Sequence, residues 1–148
     1  MIFEPHIAEV KKHIDHYWIV KDAALLSMGS PTMYAYPGIT PDMIIVLDGH
    51  YTMSYMGKTY TSNRSKLYSF IHKEVVVDLS HLKSCIIIKF KSRGLSSLKT
   101  FLDLKTEAIM KDSVAFADDV FGMDVELLKI HLLTLSPSEI ASELDQWF

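Results

Sequence analysis

The sequence predicts a mainly β fold, a barrel or sandwich of short strands, followed by two or three C-terminal α-helices. Three observations carry this. Short aromatic and β-branched runs recur through the first two-thirds of the chain with turn residues between them. After Gly94 the apolar spacing changes from strand-like to helix-like. The last segment opens with a full helix-start signature at Ser136-Pro137. Many short strands at regular spacing point to a closed or stacked sheet, and strand-then-helix order points to helices packed on one side of it.

The strand signals begin at Tyr17-Trp18-Ile19-Val20, which is aromatic and β-branched. Thr32 to Tyr36 alternates and is stopped by Pro37-Gly38. Met43 to Leu47 is a continuous apolar run, as expected of a strand covered on both faces. Asp48-Gly49 closes it and is a strong turn signal, with Tyr51 to Met56 following at once. Gly57-Lys58 makes a second tight turn into Thr59-Tyr60-Thr61. Lys66 to Ile71, Val75 to Leu79 and Cys85 to Phe90 complete the set.

Beyond Gly94, Leu95, Leu98, Phe101 and Leu102 recur at helical spacing, with Ser96-Ser97 available as an N-cap. Asp118 to Gly122 reads as a short helical turn closed by glycine. Val125, Leu128, Leu132 and Leu135 mark one face of a helix that starts after Asp124, and Leu127 and Ile130 widen the stripe. Ser136, Pro137 and Glu139 supply N-cap, first-turn proline and capping-box glutamate for a final helix carrying Ile140, Leu144 and Trp147. That apolar stripe runs to Phe148, so it is expected to pack on the sheet or on a second copy, or to continue into further chain. The resulting division is a β domain over 1–94 and a helical extension over 95–148, one structural domain overall.

A chain of 148 residues with 49% hydrophobic and 22% charged residues suits one folded domain. A net charge of −3 argues against a phosphate-gripping surface. Lys83, Lys89, Lys91 and Arg93 are the densest basic stretch and read as a solvated strand face. The single cysteine, Cys85, lies among isoleucines and reads as a small buried hydrophobe, with a cytoplasmic location as the default. The N-terminus lacks the features of a signal peptide, and no apolar run reaches the ~18 residues of a membrane span. No membrane partner is expected.

Seven histidines invite a metal reading, but no His-x-His or His-Glu-x-x-His is present. His50, His72 and His81 could meet only through the fold. No nucleophile elbow, P-loop or dinucleotide fingerprint appears, and Asp118-Asp119 reads as a helix-start pair. The sequence calls for no cofactor and no catalytic residue. What stands out is the aromatic content of the strands: Trp18, Tyr34, Tyr36, Tyr51, Tyr55, Tyr60, Tyr68 and Phe70. Aromatic rings with a few polar tips suit a small organic ligand, the alternative being ordinary strand packing. Trp18, Tyr36, His50, Tyr55, Tyr68 and His72 are the candidate ligand-binding residues.

Several short motifs, taken in order, resemble the sensing domains of AraC-type transcription regulators. Tyr17-Trp18, then Pro37-Gly-Ile-Thr-Pro-Asp42 leading into Met43 to Leu47, is similar to that family's opening. Ile88-Lys-Phe90, Gly94 and Leu98 to Leu104 resemble its strand exit and following helix, although Lys91-Ser92-Arg93 stands where a proline is expected. Asp118 to Gly122 resembles the element before its linker helices. The resemblance covers roughly residues 17 to 148. It implies a cupin-like barrel that binds an effector or mediates homodimer contacts through the C-terminal helices. DNA would be read only by a helix-turn-helix domain that this chain does not contain. The alternatives are a stand-alone cupin-like sugar-binding protein and a metal-dependent cupin enzyme.

Overall fold

The computed structural model describes residues 1–22, 32–35, 40–68, 73–94, 97, 114–122 and 124–148. Ten strands are present among them: β1 (Ile2–Phe3), β2 (Ile14–Val20), β3 (Thr32–Ala35), β4 (Asp42–Gly49), β5 (Tyr51–Tyr55), β6 (Lys58–Ser62), β7 (Lys66–Tyr68), β8 (Val75–Asp78), β9 (Leu82–Phe90) and β10 (Val114–Phe116). Three helices follow: α1 (Ala117–Phe121), α2 (Asp124–Leu132) and α3 (Pro137–Trp147). β10 lies inside the segment read from sequence as a helical extension. The helix expected from Leu95 to Leu102 lies, but for Ser97, outside the described residues.

The strands form two antiparallel sheets, one in the order β1-β2-β9-β4-β7-β10 and the other β3-β8-β5-β6. The architecture is therefore a β-sandwich followed by helices: of the barrel and the sandwich that the sequence left open, the sandwich is found, and the cupin-like barrel that the resemblance implies does not close. The choice turns on Asp48-Gly49. That dipeptide does not close a hairpin between β4 and β5, because β4 pairs with β9 and β7 while β5 pairs with β6 and β8. The pairing of β4 with β9 shifts register at Val46/Asp48 and again at Asp48/Gly49, so the strand bends out of one sheet into the other. Gly49 has φ +86°, and a Cβ there would stand 2.2 Å from the His81 carbonyl oxygen. Only glycine lets the two backbones approach that closely at the corner.

The true hairpin turn is Met56-Gly57, joining the Tyr55↔Lys58 pair, with both φ values positive at 49° and 73°. Two left-handed residues in a two-residue loop match the twist of the flanking strands. Across this hairpin Thr52 bonds Thr61 and Ser54 bonds Thr59, hydroxyl to hydroxyl, on the solvent face.

The large sheet is covered on both faces. On one, Tyr17, Ile19, Met43, Ile45, Leu47, Leu67, Ile86, Ile88 and Phe90 pack against the helices. On the other, Val20, Val46 and Cys85 meet Tyr51, Met53 and Val75 of the small sheet. The continuous apolar runs at Met43 to Leu47 and Cys85 to Ile88 have this cause: alternate residues enter different cores. The molecule is thus three layers, helices, large sheet and small sheet.

α3 is the anchor of the helical layer. Glu139 accepts hydrogen bonds from the Ser136 backbone N–H (2.8 Å) and hydroxyl (2.5 Å), the capping half the sequence predicts. Its apolar face, Ile140, Ala141 and Leu144 with Phe148, is buried against the sheet. Phe148 meets Phe90 edge-on at 6.0 Å and Phe121 at 6.1 Å. The terminal stripe is therefore satisfied within the chain. Asp145 on α3 is also buried and accepts from the Tyr17 hydroxyl at 2.8 Å and from the backbone N–H groups of His6 (2.5 Å) and Ile7 (3.1 Å). One carboxylate thus ties α3, β2 and the N-terminal segment together.

Two stability outcomes follow. Asp145→Ala strips partners from three donors, each worth about 1–3 kcal/mol when left unsatisfied, so urea denaturation should show a loss of about 3 kcal/mol or more. Met56→Asn places a residue tolerant of positive φ in the turn and should raise stability by about 0.5–1 kcal/mol in the same assay.

Candidate functional site

The inner face of the large sheet, the one turned to the small sheet, is ordered by strand register into three rows. The first runs His16, Lys89, Asp42, Tyr68 and Val114 across β2, β9, β4, β7 and β10. The second runs Trp18, Ile87, Ile44, Lys66 and Phe116. The third is Val20, Cys85 and Val46. Burial changes with the rows. Every residue of the third is buried, whereas every residue of the first two is half-buried except Lys66, which is buried. The inner face therefore has an apolar, closed floor and a half-buried mouth of aromatic, aliphatic and charged side chains.

At the mouth, Lys89 donates to Asp42 Oδ2 from the neighbouring strand. Asp42 Oδ1 is buried with no hydrogen-bond partner among the described residues. Burial raises the Asp42 carboxyl above its ordinary value, against the pull of Lys89 and His16. That oxygen is an acceptor with no donor among the described residues. Lys89, read from sequence as part of a solvated face, instead points inward, because the alternation that buries Cys85 and Ile87 carries it to the same side.

Above the floor, the Tyr51 hydroxyl of the small sheet and the Tyr68 hydroxyl of the large sheet are bonded at 2.7 Å. Burial, foremost, raises both phenols well above the ordinary tyrosine value, so both stay protonated at neutral pH. Lys66, beside Tyr68 on the same face, sets its ammonium 5.8 Å from the Tyr51 ring, 5.3 Å from the Tyr60 ring and 5.4 Å from the Phe116 ring. Arg64 stacks on the Phe116 ring at 3.6 Å and pairs with Asp118 at 2.6 Å, which fixes the start of α1 against the β6–β7 turn. The Cys85 thiol is pushed up to about 12 by burial and packs in the floor as an apolar side chain.

Of the residues chosen from sequence, Trp18, Tyr55 and Tyr68 pack against this inter-sheet core. His50 does not join them. It lies past Gly49 at the floor end, where its ring stacks on His81 at 4.9 Å and its backbone N–H donates to the His81 carbonyl. Tyr36 and His72 lie outside the described residues. Among the described residues no group of three or more His, Cys, Asp or Glu is placed to hold a metal. No helix of the described residues is long and apolar enough to cross a membrane. Lys66 and the Asp42–Lys89 pair were missed. The available signal was alternation: Lys66 is two residues from Tyr68, and Lys89 two from Ile87, so each shares a face with an inward neighbour.

No protein-family model matches the chain, and no curated protein matches it.

Alkaline pH provides a direct check on the buried hydroxyls and thiol. The folded values of Tyr17, Tyr51, Tyr68 and Cys85 are all raised, so their stabilisation is full below the unfolded values and is lost above them. With unfolded cysteine near 8.5 and tyrosine near 10, the urea midpoint should fall from about pH 9 upward and steeply above about pH 10. Tyr51→Phe should lessen the steep part. A midpoint constant to about pH 11 would contradict this burial.

Proposed function

We propose that the chain is the effector-sensing and dimerisation module of an AraC-type transcription regulator, not an enzyme. In this reading the inter-sheet cleft takes a small organic effector, and the helical layer carries contacts to a second copy. DNA is read by a separate domain. The observation that carries the reading is the graded inner face: a buried apolar floor under a half-buried mouth of Trp18, Tyr68, Ile44, Ile87 and the Asp42–Lys89 pair. Concave apolar surface with a few convergent polar groups is what small ligands bind. The order of motifs from Tyr17-Trp18 to Asp118-Gly122 supports the family.

Of the two C-terminal helices expected to carry the dimer contact, the terminal one has its apolar face buried, which leaves the contact to α2. Leu127 and Ile130 are 65% and 64% exposed there, with Leu133 beyond them. α2 begins with Asp124 and Glu126 and ends with Lys129 and His131. Two copies paired antiparallel about a two-fold axis would set acidic ends beside basic ends and cover the exposed stripe.

Thermal shift against neutral sugars, alcohols, organic acids and amides should give stabilisation by at least one class, and Trp18→Ala should remove it. No response from any class would overturn the sensing role. Sedimentation should show a concentration-dependent dimer that the double variant Leu127→Glu/Ile130→Glu converts to monomer with an unchanged melting temperature. A wild-type monomer at every concentration would sink the α2 contact.

A further inference from the structure

The Lys66 side chain is held within the fold with aromatic rings, not a carboxylate, around its ammonium. It is 5% exposed, and it has no ion-pair or hydrogen-bond partner among the described residues. Three aromatic rings stand around its charge instead of a carboxylate. Cation–π contacts return part of the hydration that the enclosed side chain loses, but a cation so enclosed is ordinarily paired. Burial, with Arg64 adding to it, lowers the Lys66 ammonium below its ordinary value, which agrees with a site that lacks a counter-ion.

A second donor lies beside it. The Tyr51 and Tyr68 hydroxyls carry two protons and share one hydrogen bond, so one O–H remains unspent, with no other partner among the described residues. The nearest anion on this face, Asp42, is one row away and already engaged by Lys89. From Lys66, the second row continues through Ile44 and Ile87 to Trp18, all half-buried. That row crosses three inter-strand steps, about 14 Å of apolar surface leading away from one cation.

We infer that the effector is an apolar monocarboxylate, its carboxylate seated between the Lys66 ammonium and the free tyrosine hydroxyl and its body laid over Ile44, Ile87 and Trp18. This rests on the cleft reading above and names the ligand class for it. The carboxylate supplies the missing counter-ion, and the charge-assisted bonds it forms are among the stronger polar contacts available. A neutral isostere cannot supply the charge. A short acid such as acetate forms the ion pair but leaves the apolar row uncovered.

The test is binding of octanoate, phenylacetate and acetate, beside octanamide and phenylacetamide, to the full chain by titration calorimetry. Octanoate and phenylacetate should bind, with their amides weaker by about tenfold or more and acetate weaker still. Lys66→Met keeps the apolar stem and removes the charge. It should lose the preference for acid over amide and melt higher than the wild type without ligand. The acid-against-amide comparison needs no variant and stands even if Lys66→Met fails to fold. Equal binding of acids and amides would overturn the inference while leaving the cleft reading intact, as would binding of neutral sugars alone. Tight acid binding that survives Lys66→Met would also overturn it. Silence from these probes and from every class in the thermal-shift panel would overturn both.

Discussion

The structure depends on strands β9 and β4 being apolar on both faces. A strand with Ile86 and Ile88 on one side and Cys85 and Ile87 on the other cannot leave either side to water, so the sheet built on it needs two covers. The helices form one and the small sheet the other. Each cover is secured by a different kind of contact. The helical cover is dense and aromatic, with Phe90, Phe121, Trp147 and Phe148 in mutual contact. It is locked by the buried Asp145 and its three donors.

The small-sheet cover is continuous with the large sheet through the corner at Gly49 and tight only near that corner. There Val20, Val46, Leu79, Leu82 and Cys85 are buried together. Away from it the inner face of the large sheet carries rows of half-buried side chains, and the Tyr51–Tyr68 hydroxyl pair links the two sheets. The two faces of one sheet therefore differ: the helical face is a closed core, and the other is closed beside the corner and half-buried away from it.

The inner face also carries polar groups that packing alone would not select. The buried Asp42 oxygen lowers stability relative to an apolar residue of similar shape, and the Lys66 ammonium has no anion beside it among the described residues. Sites that bind commonly retain such groups at the expense of stability, because a ligand completes them. Both flank the same hydroxyl pair, which gathers the polar groups of this face in one place.

The sequence by itself determined the elements. Period-two runs, the turn signals Asp48-Gly49 and Gly57-Lys58 and the Ser136-Pro137-Glu139 start placed eight strand signals and the helices after Asp118, because these depend on local sterics and hydrogen bonding. It also identified the double-sided burial of Met43 to Leu47, and it brought Trp18, Tyr55 and Tyr68 into the candidate site. Only the tertiary structure decided which strands pair. Asp48-Gly49 is as good a signal for a corner as for a hairpin, and the choice is made by the close approach of His81 to Gly49. That choice decided for the sandwich between the two architectures the sequence left open, and sent His50 to the floor end. Likewise a lysine at strand spacing does not announce its surroundings: Lys66 is enclosed by Tyr51, Tyr60 and Phe116 from other strands, and such proximity arises from register, which sequence patterns leave free.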